Sequence, residues 1–562
     1  MFVFSFRHAL PVLALGLLCA VPGCTGNFHK KWADREVFGI LRSKASKVPN
    51  SGDELFDINA PAPLSLEKLK RNFTTADFLG DKAYLEKDAR VLTLADALQY
   101  GVERNRTYLD QKETVYLAAL DLTGVRHQYA LLPVGKGEAG YASDQAINSL
   151  ITQNTFSSNS NVGFSALQST GAKLVTNFTS DVLRYLGVGG RGNGAGSTFA
   201  ASIAQPLLRG AGSLTVTEPL TQAERDVIYS IRDFTQYRKT FAISVTSQYY
   251  KTLQARAVAH NAFLAFQAFK KMLPEQAELT AANRPGRTLT SLGLLQQAKL
   301  TYNRNWLNAV RNYEVALDDL KITLGLPVNQ RILLEQKELE KLELINPHGT
   351  LDEAMKTALT TRLDLWNERD SLADAERHVK VAKQELLPTL DVTAGYTAAG
   401  NRSANAVRLS DDHRNFQAGL NLDLHLDQTP VRNDLRAAQI AEQKARRTLD
   451  LAEENVRKDV RTSWRNLELA RQQYGLAQES IKLNTVRLAR EESYDAEGRN
   501  QARDLIDAQA ALISAYDDLG DALVNHTIAR IQFWKDMGIL FIKKDGRWED
   551  VLAKESPRGK HD

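Results

Sequence analysis

The side chains that could do chemistry in this chain are few, and their spacing limits what that chemistry is. Ten histidines are scattered through 562 residues, with no HExxH pair and no metal-ligand spacing. Neither a GxSxG elbow nor a P-loop GK[ST] occurs. An enzyme is not expected, nor any catalytic residue, cofactor or metal. His413 and His425, beside strand-like runs, read as loop and lumen residues. Two features remain. Cys24 is the only cysteine outside the N-terminal apolar segment, so it has no partner for an internal disulfide. Asp504 and Asp507 lie one helical turn apart just past Gly498 and share a face. Paired carboxylates there either attract cations or simply suit a helix N-terminus, where acid is favoured anyway.

The elements around Cys24 describe export. A basic start at Arg7, an apolar stretch from Ala9 to Val21 and Pro22-Gly23-Cys24 form a secretory signal, too short to span a bilayer as a helix. VPGC resembles a bacterial lipobox, in which the cysteine becomes the lipidated first residue, and Thr25 after it resembles outer- rather than inner-membrane sorting. One acyl group binds a membrane only marginally, so lipid alone would not make residence permanent. Basic and acidic residues number 71 and 67, which implies no attraction to nucleic acid. No later stretch reaches the 18 or more apolar residues of a spanning helix, so a crossing of the bilayer must use strands.

Asp504 and Asp507 stand in a helical hairpin. From Val431 to Ala496 there is no proline and one glycine, Gly475, among good helix formers. A helix of about 64 residues runs roughly 96 Å. Val460, Leu467, Tyr474, Ile481 and Leu488 recur every seventh residue beside the small Ser463, Ala470, Ala477 and Asn484, one seam for a partner helix. The run breaks at Glu497-Gly498-Arg499-Asn500 and returns to about Leu540.

This plan is written twice. Thr93-Leu94 and Thr350-Leu351 each open a helical segment under a threonine N-cap, closing at Leu131-Leu132-Pro133 and Leu386-Leu387-Pro388. Strand-like residues, a long helix, a turn (Gly286-Arg287; Gly498-Arg499) and a return helix follow, ending at Gly325 and Gly538 as C-caps. Counted from the turn glycines, Asp504 and Asp507 correspond to Leu292 and Leu295, so the hairpin itself does not require acid. Pro274 should kink or interrupt the first long helix.

Between helices the period changes to two. Phe416, Ala418, Leu420, Leu422, Leu424 and Leu426 alternate with polar residues, and Leu390, Val392, Ala394 and Tyr396 do likewise. In an exported chain, apolar-out, polar-in strands mark a membrane barrel with a wet interior. Two strands cannot close alone, so several chains must contribute. The longer strand region of repeat 1 is either an additional hairpin around Thr170-Gly171 or a large external loop. Gly187 to Gly192 fits GxGxxG formally, but no helix pattern follows, so it reads as a loop.

In order, TLADAL with LLP, QPLLRGAG (Gln205 to Gly212), LLPTLDVTAGYT, LDLHLDQTPVRNDLRAA and GRNQARDLIDAQAAL resemble the TolC-like outer-membrane efflux protein family. The resemblance runs from about Leu92 to Leu540. It implies a mainly α fold with membrane β, a trimeric α/β-barrel channel whose chain repeats helix, strands, long helix and return helix. The expected divisions are a signal peptide (1–23), a lipidated arm (24–90), repeat 1 (91–330), a linker (331–349), repeat 2 (350–542) and a tail (543–562). It further implies a homotrimer that passes cargo from an inner-membrane pump and a periplasmic adaptor through the outer membrane. On this reading Arg284, Gly286, Arg287, Gly498 and Arg499 are docking tips for the adaptor. Asp504 and Asp507 gather around the constricted entrance, lipid is attached at Cys24, and no nucleic acid is bound. The rival is a lipid-anchored periplasmic coiled-coil adaptor or structural protein. An adaptor would not need the whole unit twice, and a coiled-coil scaffold would not need the Leu420 to Leu426 alternation.

Overall fold

The structure is a computed structural model. It describes residues 26–51, 56–58, 66–74, 76–145, 152–185, 194–282, 288–342, 344, 349–400, 413–497, 499 and 502–548. Helix α1 spans Gly26–Ala45, and β1 (Arg90–Leu92), α2 (Leu94–Arg104) and α3 (Arg106–His127) follow. Strands β2 (Leu132–Gln145), β3 (Thr152–Leu167), β4 (Lys173–Tyr185) and β5 (Gly194–Pro206) lead to the long α4 (Glu218–Ala281) and α5 (Leu289–Thr323). After β6 (Ile332–Leu334) the series repeats as α6 (Leu351–Thr361), α7 (Leu363–Gln384), β7 (Thr389–Ala399), β8 (Arg414–Asp423), α8 (Thr429–Ala496) and α9 (Ala502–Asp536).

The duplication extends to single caps. Thr93 accepts from Asp96 N–H while the Asp96 carboxylate accepts from the Thr93 N–H, and Thr350 with Glu353 forms the same capping box. Each opening segment, expected as one helix, is two. Asn105 and Arg362 take extended backbone between the halves, with ψ of 125° and 122°. Asn105 then caps the second half, its Oδ1 accepting from Tyr108 N at 2.7 Å. Pro274 does not interrupt α4. It removes one N–H from a helix in which the neighbouring turns keep theirs.

The chain divides into two compact units, each drawing on both repeats: Met1–Lys47, Tyr116–Ser230 and Glu368–Leu449, and then Val48–Val115, Ile231–Asn367 and Asp450–Asp562. The first holds one antiparallel sheet in the order β2-β3-β4-β5-β7-β8. Repeat 1 thus supplies four strands and repeat 2 supplies two. The β3–β4 hairpin turns at Thr170-Gly171, one of the two forms left open by the sequence. Strand β8 stops at Asp423, two residues before His425 takes a φ of 41°, so Leu424 and Leu426 lie outside the strand expected to include them. In the same unit α1 buries Val37, Ile40, Leu41 and Ala45, and its Asp34 accepts from the Tyr116 hydroxyl at 2.6 Å.

Among its described residues the second unit is mainly helical, and its parallel β1–β6 pair puts a strand inside the segment expected as a linker. Along α8, Val460, Ser463, Leu467, Ala470 and Ala477 are buried and Tyr474, Ile481, Asn484 and Leu488 half-buried, so the seven-residue seam is a packing seam. Among the described residues no helix is long and apolar enough to cross a membrane.

Candidate functional site

Two regions carry the chemistry: the sheet of the first unit and the hairpin turns of the second. Sheet register sorts the side chains into two faces. Cross-strand pairs put Phe164, Thr176, Ala201, Tyr396 and Phe416 on one face. Val162, Phe178, Phe199, Val392, Leu420, Leu390 and Leu422 share that face. The opposite face carries Asn161, Asn177, Thr179, Thr393, Asn415, Gln417, Asn421 and Asp423. One face is apolar and aromatic, the other carries amides, hydroxyls and a carboxylate.

At the helix-proximal end of the sheet the β3–β4 turn is tied into the loop after β5. Gln205 Nε2 donates to the Thr170 carbonyl at 3.1 Å, Thr170 Oγ1 to Gln205 Oε1 at 3.1 Å, and Gly212 N–H to the same Thr170 carbonyl at 3.2 Å. Gly171 holds φ +93°, and a Cβ there would stand 2.7 Å from the Gly210 carbonyl oxygen. Nearby, Arg209 pairs with Glu385 at 2.8 Å and Arg377 with Glu218 at 2.6 Å, beside a cavity of about 320 Å³ that His378 also lines.

In the second unit the hairpin ends pack through Phe269, Leu295, Ala298 and Ala502, with Phe269 stacked on Tyr302 at 4.6 Å. Ala502, Leu505 and Ala508 form the buried stripe of α9, which turns Asp504 and Asp507 to the exposed side. Arg503 reaches Asp507 at 3.8 Å. Asp507 also helps raise the Tyr302 phenol, second to the burial of that ring.

The exposed stripe does not stop at the two aspartates. Continuing at helical spacing it takes in Ser514, Asp518, Asp521 and Asn525. Burial, with Asp518 close by and Lys251 opposing, raises the Asp521 carboxyl above its ordinary value. Asp521 and Asn525 border a cavity of about 540 Å³ lined also by Lys251, Asn305, Asn308 and Asn312. The spacing was in the sequence, but it carries no motif that would single it out. Deeper in α9, His526 is fully buried and pushed down to about 4 by burial and by Arg530.

The return helices align one residue away from the register set by the turn glycines. Leu289 matches Ala502, Tyr313 matches His526 and Gly325 matches Gly538. Asp504 and Asp507 therefore correspond to Ser291 and Leu294, not to Leu292 and Leu295, because α5 begins three residues after Gly286 and α9 four residues after Gly498. Arg499 is exposed, its guanidinium 2.9 Å from Glu497 and its N–H donating to the Tyr494 carbonyl at 2.9 Å. Cys24, Arg284, Gly286, Arg287 and Gly498 lie outside the described residues, as does the Gly187 to Gly192 loop.

A two-faced antiparallel sheet joined twice over to long paired helices is the fold of the solved outer-membrane channels that this chain resembles. Residues 354–538 match the family described as Outer membrane efflux protein, so the second repeat carries that family's segment and the resemblance read from the sequence holds. The fold is similar to the Campylobacter jejuni CmeC outer membrane channel, at 14% identity and a TM-score of 0.58 over 88% of this chain and 97% of that one. It is also similar to the Neisseria gonorrhoeae MtrE outer membrane channel in its open state (16% identity, TM-score 0.56, 81% of this chain and 90% of that one). The Vibrio cholerae outer membrane protein VceC is alike at 10% identity and a TM-score of 0.58, over 79% of this chain and 96% of that one. No curated protein matches the chain by sequence.

Proposed function

We propose that this chain is one protomer of a trimeric exit duct in the outer membrane, receiving cargo from an inner-membrane pump through a periplasmic adaptor. The observation that carries this is the six-stranded sheet. Its apolar face suits lipid and its polar face a water-filled lumen. The strands at its ends pair on one side only among the described residues, so copies of the chain are needed to close it. Exposed seams on the helices support self-association. Leu300 and Leu307 on α5 are 68% and 56% exposed, and Leu476 and Leu483 on α8 are 71% and 70% exposed, each pair seven residues apart. The detergent-extracted protein should migrate as a trimer that heating converts to monomer. A species monomeric before heating would overturn the reading.

Lipid at Cys24 would add a second anchor to the barrel. Cys24→Ser should abolish incorporation of a fatty-acid analogue, and labelling that persists would remove this part. The adaptor would meet the tips at Arg284, Gly286, Arg287, Gly498 and Arg499. The entrance lies at Asp504 and Asp507, exposed on the chain. In a trimer they form two rings of carboxylates about the axis, which favours cations at the constriction. In planar bilayers, Asp504→Asn with Asp507→Asn should weaken cation selectivity and block by multivalent cations applied from the periplasmic side. Unchanged selectivity and block would move the gate elsewhere.

A further inference from the structure

Repeat 2 builds one hairpin, β7–β8, whereas repeat 1 builds β2 to β5. Two repeats on the plan of the second would give a sheet of four strands, and among the described residues this sheet has six. The additional hairpin, β3–β4, is a full member of the sheet. It pairs over its length with β2 on one side and β5 on the other. Its turn is fixed to the loop after β5 through Gln205, Thr170, Gly171 and Gly212. Its side chains obey the same two-faced code: Val162, Phe164, Leu174 and Phe178 toward the apolar face, Asn161, Asn177 and Thr179 toward the polar one.

We propose that β3–β4 is part of the membrane wall, and that the duct closes as an eighteen-stranded barrel by pairing β2 of each copy with β8 of the next. This rests on the trimeric duct proposed above. Three physical arguments support it. First, all six strands alternate in direction, so β2 and β8 of neighbouring copies meet antiparallel and the ring contains an even number of strands. Second, an edge left open in hydrocarbon strands a ladder of backbone groups with no water to pair them. Third, the apolar band fits. From Leu390 to Ala398 the strand rises roughly 27 Å, about 21 Å in height at a 40° tilt, close to the ~25 Å of a barrel's lipid-facing belt. Phe178 and Phe199 of the β4–β5 pair stand level with Ala398, within this same belt. Beyond it the apolar face gives way to Ser160, Ser180 and Ser197, a polar collar on the side away from the helices.

The consequence is width. At a strand spacing of about 4.8 Å and a tilt of about 40°, twelve strands give a backbone radius of roughly 12 Å and eighteen roughly 18 Å. The polar face of β3–β4 adds amides and hydroxyls to the lining: Ser157, Asn159, Asn161, Asn177 and Thr179. Such an exit suits bulky hydrophilic cargo, its amides and hydroxyls interrupted by the carboxylates of Asp181, Asp391 and Asp423.

Disulfides test the wall directly. Cysteine pairs Gly137/Ser160 (β2–β3) and Thr176/Ala201 (β4–β5) should oxidise in the assembled trimer as completely as the control pair Ala394/Ala418 (β7–β8). If the control oxidises and either of the others stays reduced in assembled protein, the hairpin is outside the wall and the proposal fails. Between copies, Ala139→Cys on β2 should cross-link to some apolar-face positions of β8 (416, 418, 420) and to none of 415, 417 and 419, in a ladder ending at three chains. A ladder ending elsewhere overturns the trimer. A ladder ending at three with mixed faces overturns only the edge pairing. Removing residues 152–193 leaves β2 and β5 antiparallel and able to pair. Neutral polymers added from the outer side should then be excluded at a smaller size than in the full chain. Equal cut-offs would overturn the width argument.

Discussion

Gly325 and Gly538 show how closely single residues repeat. Each ends a return helix in the left-handed region, at φ +68° and +80°. Each is followed by an N–H that reaches back five residues, Leu326 to the Lys321 carbonyl at 2.8 Å and Ile539 to the Trp534 carbonyl at 3.1 Å. Each also lies against the end of the corresponding short helix. A Cβ on Gly325 would stand 2.4 Å from the Arg104 carbonyl oxygen, and one on Gly538 would stand 2.5 Å from Thr361 Oγ1. The left-handed conformation alone costs an alanine roughly 1–2 kcal/mol. Gly325→Ala must also displace backbone, whereas Gly538→Ala first meets a side-chain oxygen. Both variants should lower the unfolding temperature, Gly325→Ala more. Absent shifts would mean that the caps do not limit stability, and equal ones that the backbone clash at Gly325 adds nothing to the cost of the cap. These caps and the threonine N-caps were legible because glycine and threonine have specific local uses. The counterparts of Asp504 and Asp507 were not, because the return helices begin at different distances from the two turn glycines, which only the helix starts and C-caps reveal.

Elements were legible where one period held throughout. Strands β7 and β8 alternate cleanly because both lie in the apolar band. Strands β3 and β4 leave that band partway: the far half of β3, with Ser157, Ser158, Asn159 and Ser160, is polar on both faces, and that of β4 places Val182 and Leu183 on opposite faces, which removes the period-two signal. The breaks at Asn105 and Arg362 lacked the proline or glycine that usually marks a helix end. The end of β8 at Asp423 was hidden because the leucine alternation continues through the turn. Within β8 the register makes a prediction. Leu420 and Leu422 share the apolar face with Val392 and Leu390, and Asn421 lies on the polar face opposite Asp391. Arginine on a lipid face costs roughly 2–4 kcal/mol near the midplane and about 0–1 near an interface. Leu422 is one residue from the strand end, so Leu420→Arg should reduce the yield of assembled trimer most, Leu422→Arg less and Asn421→Arg least. Quantifying unheated trimer in outer-membrane extracts tests the order, and Asn421→Arg as the most harmful would reverse the faces.

For the whole molecule, the exposed leucines of α8 bear on assembly. The buried seam through Val460, Leu467 and Ala470 is satisfied within the chain. The second row, Leu469, Leu476 and Leu483, has the same seven-residue period but is exposed along its length. A seven-residue apolar row on a long helix is the pattern for packing against another helix. With the internal seam already filled, the available partner is a neighbouring copy. Burying one leucine contributes roughly 1.5–3 kcal/mol, and a carboxylate forced into the same contact adds a desolvation cost. Leu476→Glu should therefore lower the temperature at which trimer converts to monomer and leave monomer folding, followed by helix content, unchanged. Gln478→Glu is the matched control, with the same new charge two residues on and nearly opposite around the helix. Should both variants lower the temperature equally, the effect is charge repulsion in general and the row is not an interface. Should Leu476→Glu instead lower helix content, the row supports the chain itself and the contact between copies lies elsewhere on the hairpins.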